Sequence, residues 1–332
     1  MFNFRKNKGR FALVAAAAAL ALTTAGCSSS PSANPSPSDS DVPVDIVAGI
    51  VASAGAAPIY LGLAHGIFAD HGINLTTAPI TTGAAAVSSL INGQLNVVQA
   101  SQDSVINAAA NGIGVVVVAG AWNDNTDPKG TQVQAIVSKT SGIKSFKDLE
   151  GKNVAVNSVN CCWQLWTNEA VANDGGDSSK VNYVQVNLAQ QLSQLQAGAI
   201  DAAILSQPFA TTAIQTGGFT SIGDPMTDAF DNETAQNSVY FMSKAFIDAN
   251  PGVVEKFREA LQAASDYTNE HPDEARKAIA NATGTDPALV DASPLPTFTA
   301  VTDVDGLEKE VAFLVKYGVL TTAPSTDVFV AP

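Results

Sequence analysis

A chain of 332 residues with 31 acidic side chains against 17 lysines and arginines has room for two ordinary domains. Its formal charge of −14 has the wrong sign for a nucleic-acid partner. Arg5, Lys6, Lys8 and Arg10 precede the first acid, Asp39, so the part after Cys27 is more acidic still, with 31 acidic against 13 basic residues. Only Arg258 and Arg276 remain as arginines there, both in late helical segments, which argues against an arginine clamp on an anionic ligand.

The chain opens with a basic stretch, Met1 to Arg10, then an apolar run from Phe11 to Leu22 and the box Thr24-Ala25-Gly26-Cys27. This pattern resembles a bacterial lipoprotein signal over residues 1–27, with Cys27 as the lipid-bearing first residue of the mature protein. The alternative is an ordinary secretory peptide with an incidental cysteine. The apolar run is shorter than the roughly 20 residues needed to cross a bilayer. Residues 28–42, rich in serine and proline, lack apolar anchors and are expected to form a disordered tether.

From Val44 the pattern is strand, small-residue loop, helix, strand: VDIVAGI, VASAG, PIYLGLAHGIFADHG and INLTTAPI. That is a βαβ unit, and the loop from Val51 to Pro58 falls at the carboxyl end of its first strand, where open α/β sheets bind ligands. Helix AAAVSSLING, strand LNVVQA, helix SQDSVINAAANG and strand GVVVVAGAWN follow, the last being the most apolar and expected at the centre of its sheet. Residues 43–122 thus form the first part of one lobe. Asn123 to Gly130 is a polar break, and residues 123–237 read as a second α/β lobe, with TQVQAIVSK as a strand at the crossing. SVYFMS, Ser238 to Ser243, is expected as the return crossing. Residues 238–332 then supply helices packing on the first lobe. One starts at Pro251 with Asn250 as cap, one at Pro272, and one carries the capping-box spacing Asp305/Glu308. A faint repeat links the lobes, since Leu90 to Asn96 parallels Leu195 to Asp201: helix end, glycine, strand opening.

Three stretches carry a family resemblance. Ala57 to Ile73, APIYLGLAHGIFADHGI, is similar to the opening of solute-binding proteins of ABC importers for nitrate, sulfonates, taurine and thiamine precursors. Phe146 to Val156, FKDLEGKNVAV, resembles the start of that family's second lobe, and Leu195 to Pro208, LQAGAIDAAILSQP, a segment ending in a proline near the ligand. The resemblance implies the type II periplasmic-binding-protein-like fold: two α/β lobes with parallel-rich sheets flanked by helices, joined by a two-stranded hinge that closes on a small solute. It also implies a permease that reads the closed form, no chemistry on the solute and no cofactor. The protein is expected to be a monomer on the outer face of the cell membrane, held by lipid on Cys27.

The candidate binding residues lie in loops after strands. In the first lobe they are Ser53, Tyr60, Thr82, Gly83, Ser101, Gln102 and Trp122; in the second, Asn157, Ser158, Cys161, Cys162, Trp163, Gln207 and Pro208. Thr82-Gly83 opens a helix whose free N–H groups can hold an anion, and Thr82 can equally be a simple cap. Trp163 and Trp166 are three apart on one helix, so one can stack on a flat solute while the other packs in the core. The adjacent cysteines admit three readings: buried free thiols, a strained vicinal disulfide, or a remnant of the cysteine cluster in iron-dependent pyrimidine synthases on this fold. Such an enzyme is the first alternative function, and a membrane-tethered sensor component the second. The solute classes left open are sulfonates, nitrate, pyrimidine precursors and aromatic acids.

Overall fold

The computed structural model describes residues 42–124, 130–230 and 235–332. The signal, the lipid-bearing Cys27, nearly all of the tether and the middle of the polar break fall outside the described residues.

The first lobe begins with β1 (Val44–Ile50), α1 (Ala57–Ala64), α2 (Ile67–Asp70), β2 (Ile73–Pro79), α3 (Gly83–Ile91), β3 (Val97–Ser101), α4 (Gln102–Ala110) and β4 (Val115–Asn123). The chain then builds the second lobe from β5 (Val133–Ser138), β6 (Asn153–Val156), α5 (Cys162–Asn173), β7 (Asn182–Gln185), α6 (Leu188–Gln196), β8 (Ala202–Ser206), α7 (Phe209–Gln215), β9 (Phe219–Ser221) and α8 (Pro225–Phe230). It returns through β10 (Gln236–Ser243), α9 (Lys244–Ala249), α10 (Val253–Glu270), α11 (Pro272–Thr283), α12 (Pro287–Ala292), β11 (Thr297–Phe298) and α13 (Val304–Lys316).

The two sheets run β11-β4-β10-β3-β1-β2 and β7-β6-β8-β5-β9. Both are mixed rather than parallel-rich. β10 lies within the first sheet, between β3 and β4 and antiparallel to both, and displaces β4 from the centre. β5 likewise sits inside the second sheet, antiparallel to β8 and β9. Each of these strands follows a passage between the lobes and enters its sheet from the opposite side. Hydrophobic periodicity cannot reveal that reversal. β4 remains fully apolar because both of its faces are covered, by a cluster with α1, α10 and α11 on one side and by α3, α4 and α13 on the other.

The internal repeat is real at the level of hydrogen bonds. Gly93 and Gly198 both adopt left-handed φ, 72° and 67°, after a helix. Three residues on, Asn96 Oδ1 accepts from Val47 N at 2.7 Å, and Asp201 Oδ2 accepts from Asn153 N at 2.8 Å. In each lobe this polar side chain secures the strand following the glycine to its parallel neighbour.

Helix boundaries differ from expectation in two places. α10 begins at Val253 after a left-handed Gly252, because Asn250 turns back to donate to the Phe246 carbonyl instead of capping forward. α13 is capped by Asp303, whose carboxylate accepts from Gly306 N at 2.9 Å; Asp305 and Glu308 form no box.

Candidate ligand-binding cleft

Loops of both lobes enclose one cavity of about 840 Å³, its open mouth included. Its walls come from the carboxyl ends of β1, β2, β3, β4, β6 and β8, as expected for an α/β sheet. Ser238 at the start of β10 and Gln132 just before β5 join them, since the amino end of an antiparallel strand lies at the same edge. A second depression shares Val51, Thr81, Thr82, Asn157 and Leu188 with it.

Most of the predicted residues meet here. Ser53, Thr82, Gly83, Ser101 and Trp122 line the cavity from the first lobe, and Asn157, Ser158, Cys161, Cys162, Trp163 and Gln207 from the second. Three do not. Tyr60 points to the core against α10 and is half-buried. Gln102 is buried behind the wall, where its Nε2 donates to the Gln236 carbonyl at 3.1 Å. Pro208 is buried at the start of α7 outside the lining. Gln207 reaches the cavity with its amide engaged, donating to the Thr131 carbonyl and accepting from Thr211 N.

Thr82 is a helix cap: its Oγ1 accepts from Ala85 N at 3.3 Å. Gly83 has a separate reason to be glycine. A Cβ there would collide with Ala100 Cβ and lie 2.7 Å from Ser104 Oγ, so the start of α3 can approach β3 and α4 only without a side chain. The tryptophan pair divides as one of the readings had it. Trp163 lines the cavity, whereas Trp166 is fully buried, edge-on to Phe230 and bonded through Nε1 to Glu310.

Cys161 and Cys162 are free thiols, not a vicinal disulfide. Cys161 donates to the Ser158 carbonyl at 2.8 Å. Burial, then the contact with Cys161 and the nearby charge of Asp103, pushes the Cys162 thiol well above its ordinary range, which makes it a poor nucleophile. Among the described residues no group of histidines, cysteines and carboxylates could hold a metal ion. His65, His71 and His271 pair elsewhere, with Glu274, the Ile67 carbonyl and the Tyr267 carbonyl.

Sequence reasoning missed Gln99, Asp103, Ser104, Ser206 and Ser238, all at the cavity. Gln99 had a visible signal, a lone polar residue in the otherwise apolar VVQA. Asp103 is the one carboxylate among the lining residues, and burial raises its pKa against the opposing hydrogen bonds of Ser101 and Cys162. Among the described residues lining the cavity there is no lysine, arginine or histidine. Arg258 is committed to the carbonyls of Val118, Ala331 and Pro332, and Arg276 to those of Val290 and Ser293.

The NMT1/THI5 like family model matches residues 53–275, more than half of the chain. The chain belongs to this family. Its members are solute-binding transport proteins rather than enzymes. Solved structures share the fold at low identity. The alkanesulfonate-binding protein SsuA from Xanthomonas axonopodis pv. citri, bound to MOPS, is 16% identical with a TM-score of 0.69, over 87% of this chain and 99% of that one. The periplasmic nitrate-binding protein NrtA from Synechocystis PCC 6803 is 12% identical with a TM-score of 0.72, over 87% and 86%. A ligand-binding component of an ABC-type import system from Staphylococcus aureus, with zinc bound, is 11% identical with a TM-score of 0.74, over 87% and 97%. No curated protein matches the chain. Among the described residues no helix is long and apolar enough to cross a membrane.

Proposed function

We propose that this chain is the extracytoplasmic, lipid-anchored solute-binding component of an ABC importer. It would hold a small organic solute between its lobes and present the closed form to a permease. The observation that carries this reading is the cavity itself, walled by strand-end loops from both lobes, with Trp122 and Trp163 as flat apolar surfaces. A solute touching both walls stabilises the shut state more than the open one, which converts occupancy into a shape that a partner can read. The neighbours named for alkanesulfonate, nitrate and ABC-type import support the same role. Lipid on Cys27, followed by the Ser/Pro-rich residues 28–42, would keep the lobes within reach of the membrane.

Native mass spectrometry and small-angle scattering of the purified protein, with and without pools of nitrate, sulfonates, pyrimidines and aromatic acids or amines, test the reading. A one-to-one adduct accompanied by contraction is expected. Adducts without contraction would remove the closure mechanism. Cys27→Ser is expected to move the protein from the membrane fraction to the soluble fraction, and an unchanged partition would remove the anchor.

A further inference from the structure

The cavity wall has an excess of hydrogen-bond acceptors that the protein itself leaves unanswered. Asp103 is 5% exposed and its Oδ1 has no partner. Gln99 is 3% exposed; its Nε2 donates to the Gly55 carbonyl at 3.1 Å, while its Oε1 has no partner. Ser238 Oγ, at 6% exposure, is also unpartnered, though as a hydroxyl it can donate or accept. All three residues line the cavity. Buried acceptors without donors are costly, and Asp103 Oδ1 and Gln99 Oε1 each call for a donor that the chain does not supply.

The charges point the same way. Asp103 stands in the first turn of α4, and its carboxyl faces the backbone N–H and thiol of Cys162 at the start of α5 in the other lobe. The amino end of α5 would otherwise attract an anion, but the chain's own carboxylate is already there. Glu310 lies behind, fully buried and close enough for Asp103 to act on its charge. An anionic solute would therefore meet the Asp103 carboxyl and no basic side chain. A solute bearing a protonated nitrogen or N–H groups would answer both the charge and the empty acceptors.

We infer that the solute is a small, flat organic molecule that presents an amine, amidine or amino-heterocycle nitrogen to Asp103 and Gln99. Sulfonates, nitrate and carboxylates without such a nitrogen are then poor ligands. An acceptor elsewhere on the same molecule can use the free N–H groups at the start of α3. The inference rests on the solute-binding reading above and narrows its substrate class.

The test uses the full chain in detergent, with calorimetry against matched probes on shared skeletons: benzamidine and aminopyrimidines, then benzoate and benzenesulfonate, then nitrate. The nitrogen-bearing set is expected to bind. Asp103→Asn is expected to weaken it about 10- to 100-fold, the scale of one charge-assisted hydrogen bond, with the melting temperature confirming a folded variant. The ranking of probes on the unaltered protein tests the inference even if that variant does not fold. Binding of only the carboxylate, sulfonate or nitrate probes would overturn the inference and leave the solute-binding reading standing. Equal binding of benzamidine by Asp103→Asn would overturn the role of Asp103. No binding by any probe would count against the solute-binding reading itself, and this inference would fall with it.

Discussion

Trp166 donates from its indole N–H to Glu310 Oε2 at 2.8 Å, and both side chains are fully buried. The bond joins α5 of the second lobe to α13 of the returning chain. Burial is the main reason that the Glu310 pKa rises to about 8, with the charge of Asp103 adding to it and the Trp166 hydrogen bond opposing it. An acid whose folded pKa lies above its unfolded one binds more protons when folded. The Glu310 contribution is therefore fully present below the ordinary glutamate pKa of about 4.3 and is lost as pH rises towards 8. Urea unfolding is expected to show stability falling across that window, by an amount on the order of a few kcal/mol. Glu310→Gln, which cannot ionise, should flatten the slope. An unchanged slope would mean that another group sets it.

The two tryptophans of α5 should separate by phenotype. Trp166→Ala empties a packed core site and is expected to cost about 3–5 kcal/mol of stability with the lobe destabilised as a whole. Trp163→Ala removes a cavity wall, and its main effect is expected on solute affinity, a loss of about tenfold or more. Denaturant titration and calorimetry on both variants check this. Trp163 is also part of the second lobe's core, so some loss of stability is expected there too, and unchanged solute affinity in Trp163→Ala would mean that this wall does not touch the solute.

Gly83→Ala is expected to destabilise the protein by about 1–3 kcal/mol, because the new methyl must push α3 away from Ala100 and Ser104. Gly93→Ala is a useful comparison. Open space surrounds that position, and only the left-handed φ of 72° opposes a side chain. Both variants should lose stability, but only Gly83→Ala should also weaken solute binding, since only Gly83 lines the cavity. Melting curves with and without a bound solute distinguish them.

Asn96→Ala and Asp201→Ala are expected to cost about 1 kcal/mol each, the net worth of one side-chain bond to a strand N–H. The two sites are in different lobes and share no partner, so the double variant should lose the sum. A shortfall or excess beyond about 0.5 kcal/mol would show that the repeats are coupled.

Much of this molecule could be read without coordinates. The βαβ opening, the two α/β series and the loops at the carboxyl ends of strands follow from hydrophobic period and glycine position, and the family from the resemblance of Ala57 to Ile73, Phe146 to Val156 and Leu195 to Pro208. Those signals are local, and Ser53, Thr82, Ser101, Trp122, Asn157 and Trp163, picked out by them, all line one cavity. The glycine-plus-polar repeat was legible too, although its meaning, a side chain securing the next strand, needed the hydrogen bonds.

Tertiary structure alone decided the rest, because it concerns which distant segments meet. SVYFMS reads as a strand in either place, and only pairing shows that it divides β3 from β4 and brings Ser238 to the cleft. Nothing in the local pattern singles out Asp103, and only the approach of α5 and α13 buries it beside Cys162 and Glu310. Tyr60 stands in a loop-to-helix stretch next to the site in sequence, yet the turn of α1 sends it into the core. Sequence fixes the residues along each element through local sterics and burial period. The chemistry of the cleft depends on side chains far apart in the chain whose charges and hydrogen-bonding groups interact only once folding excludes water between them.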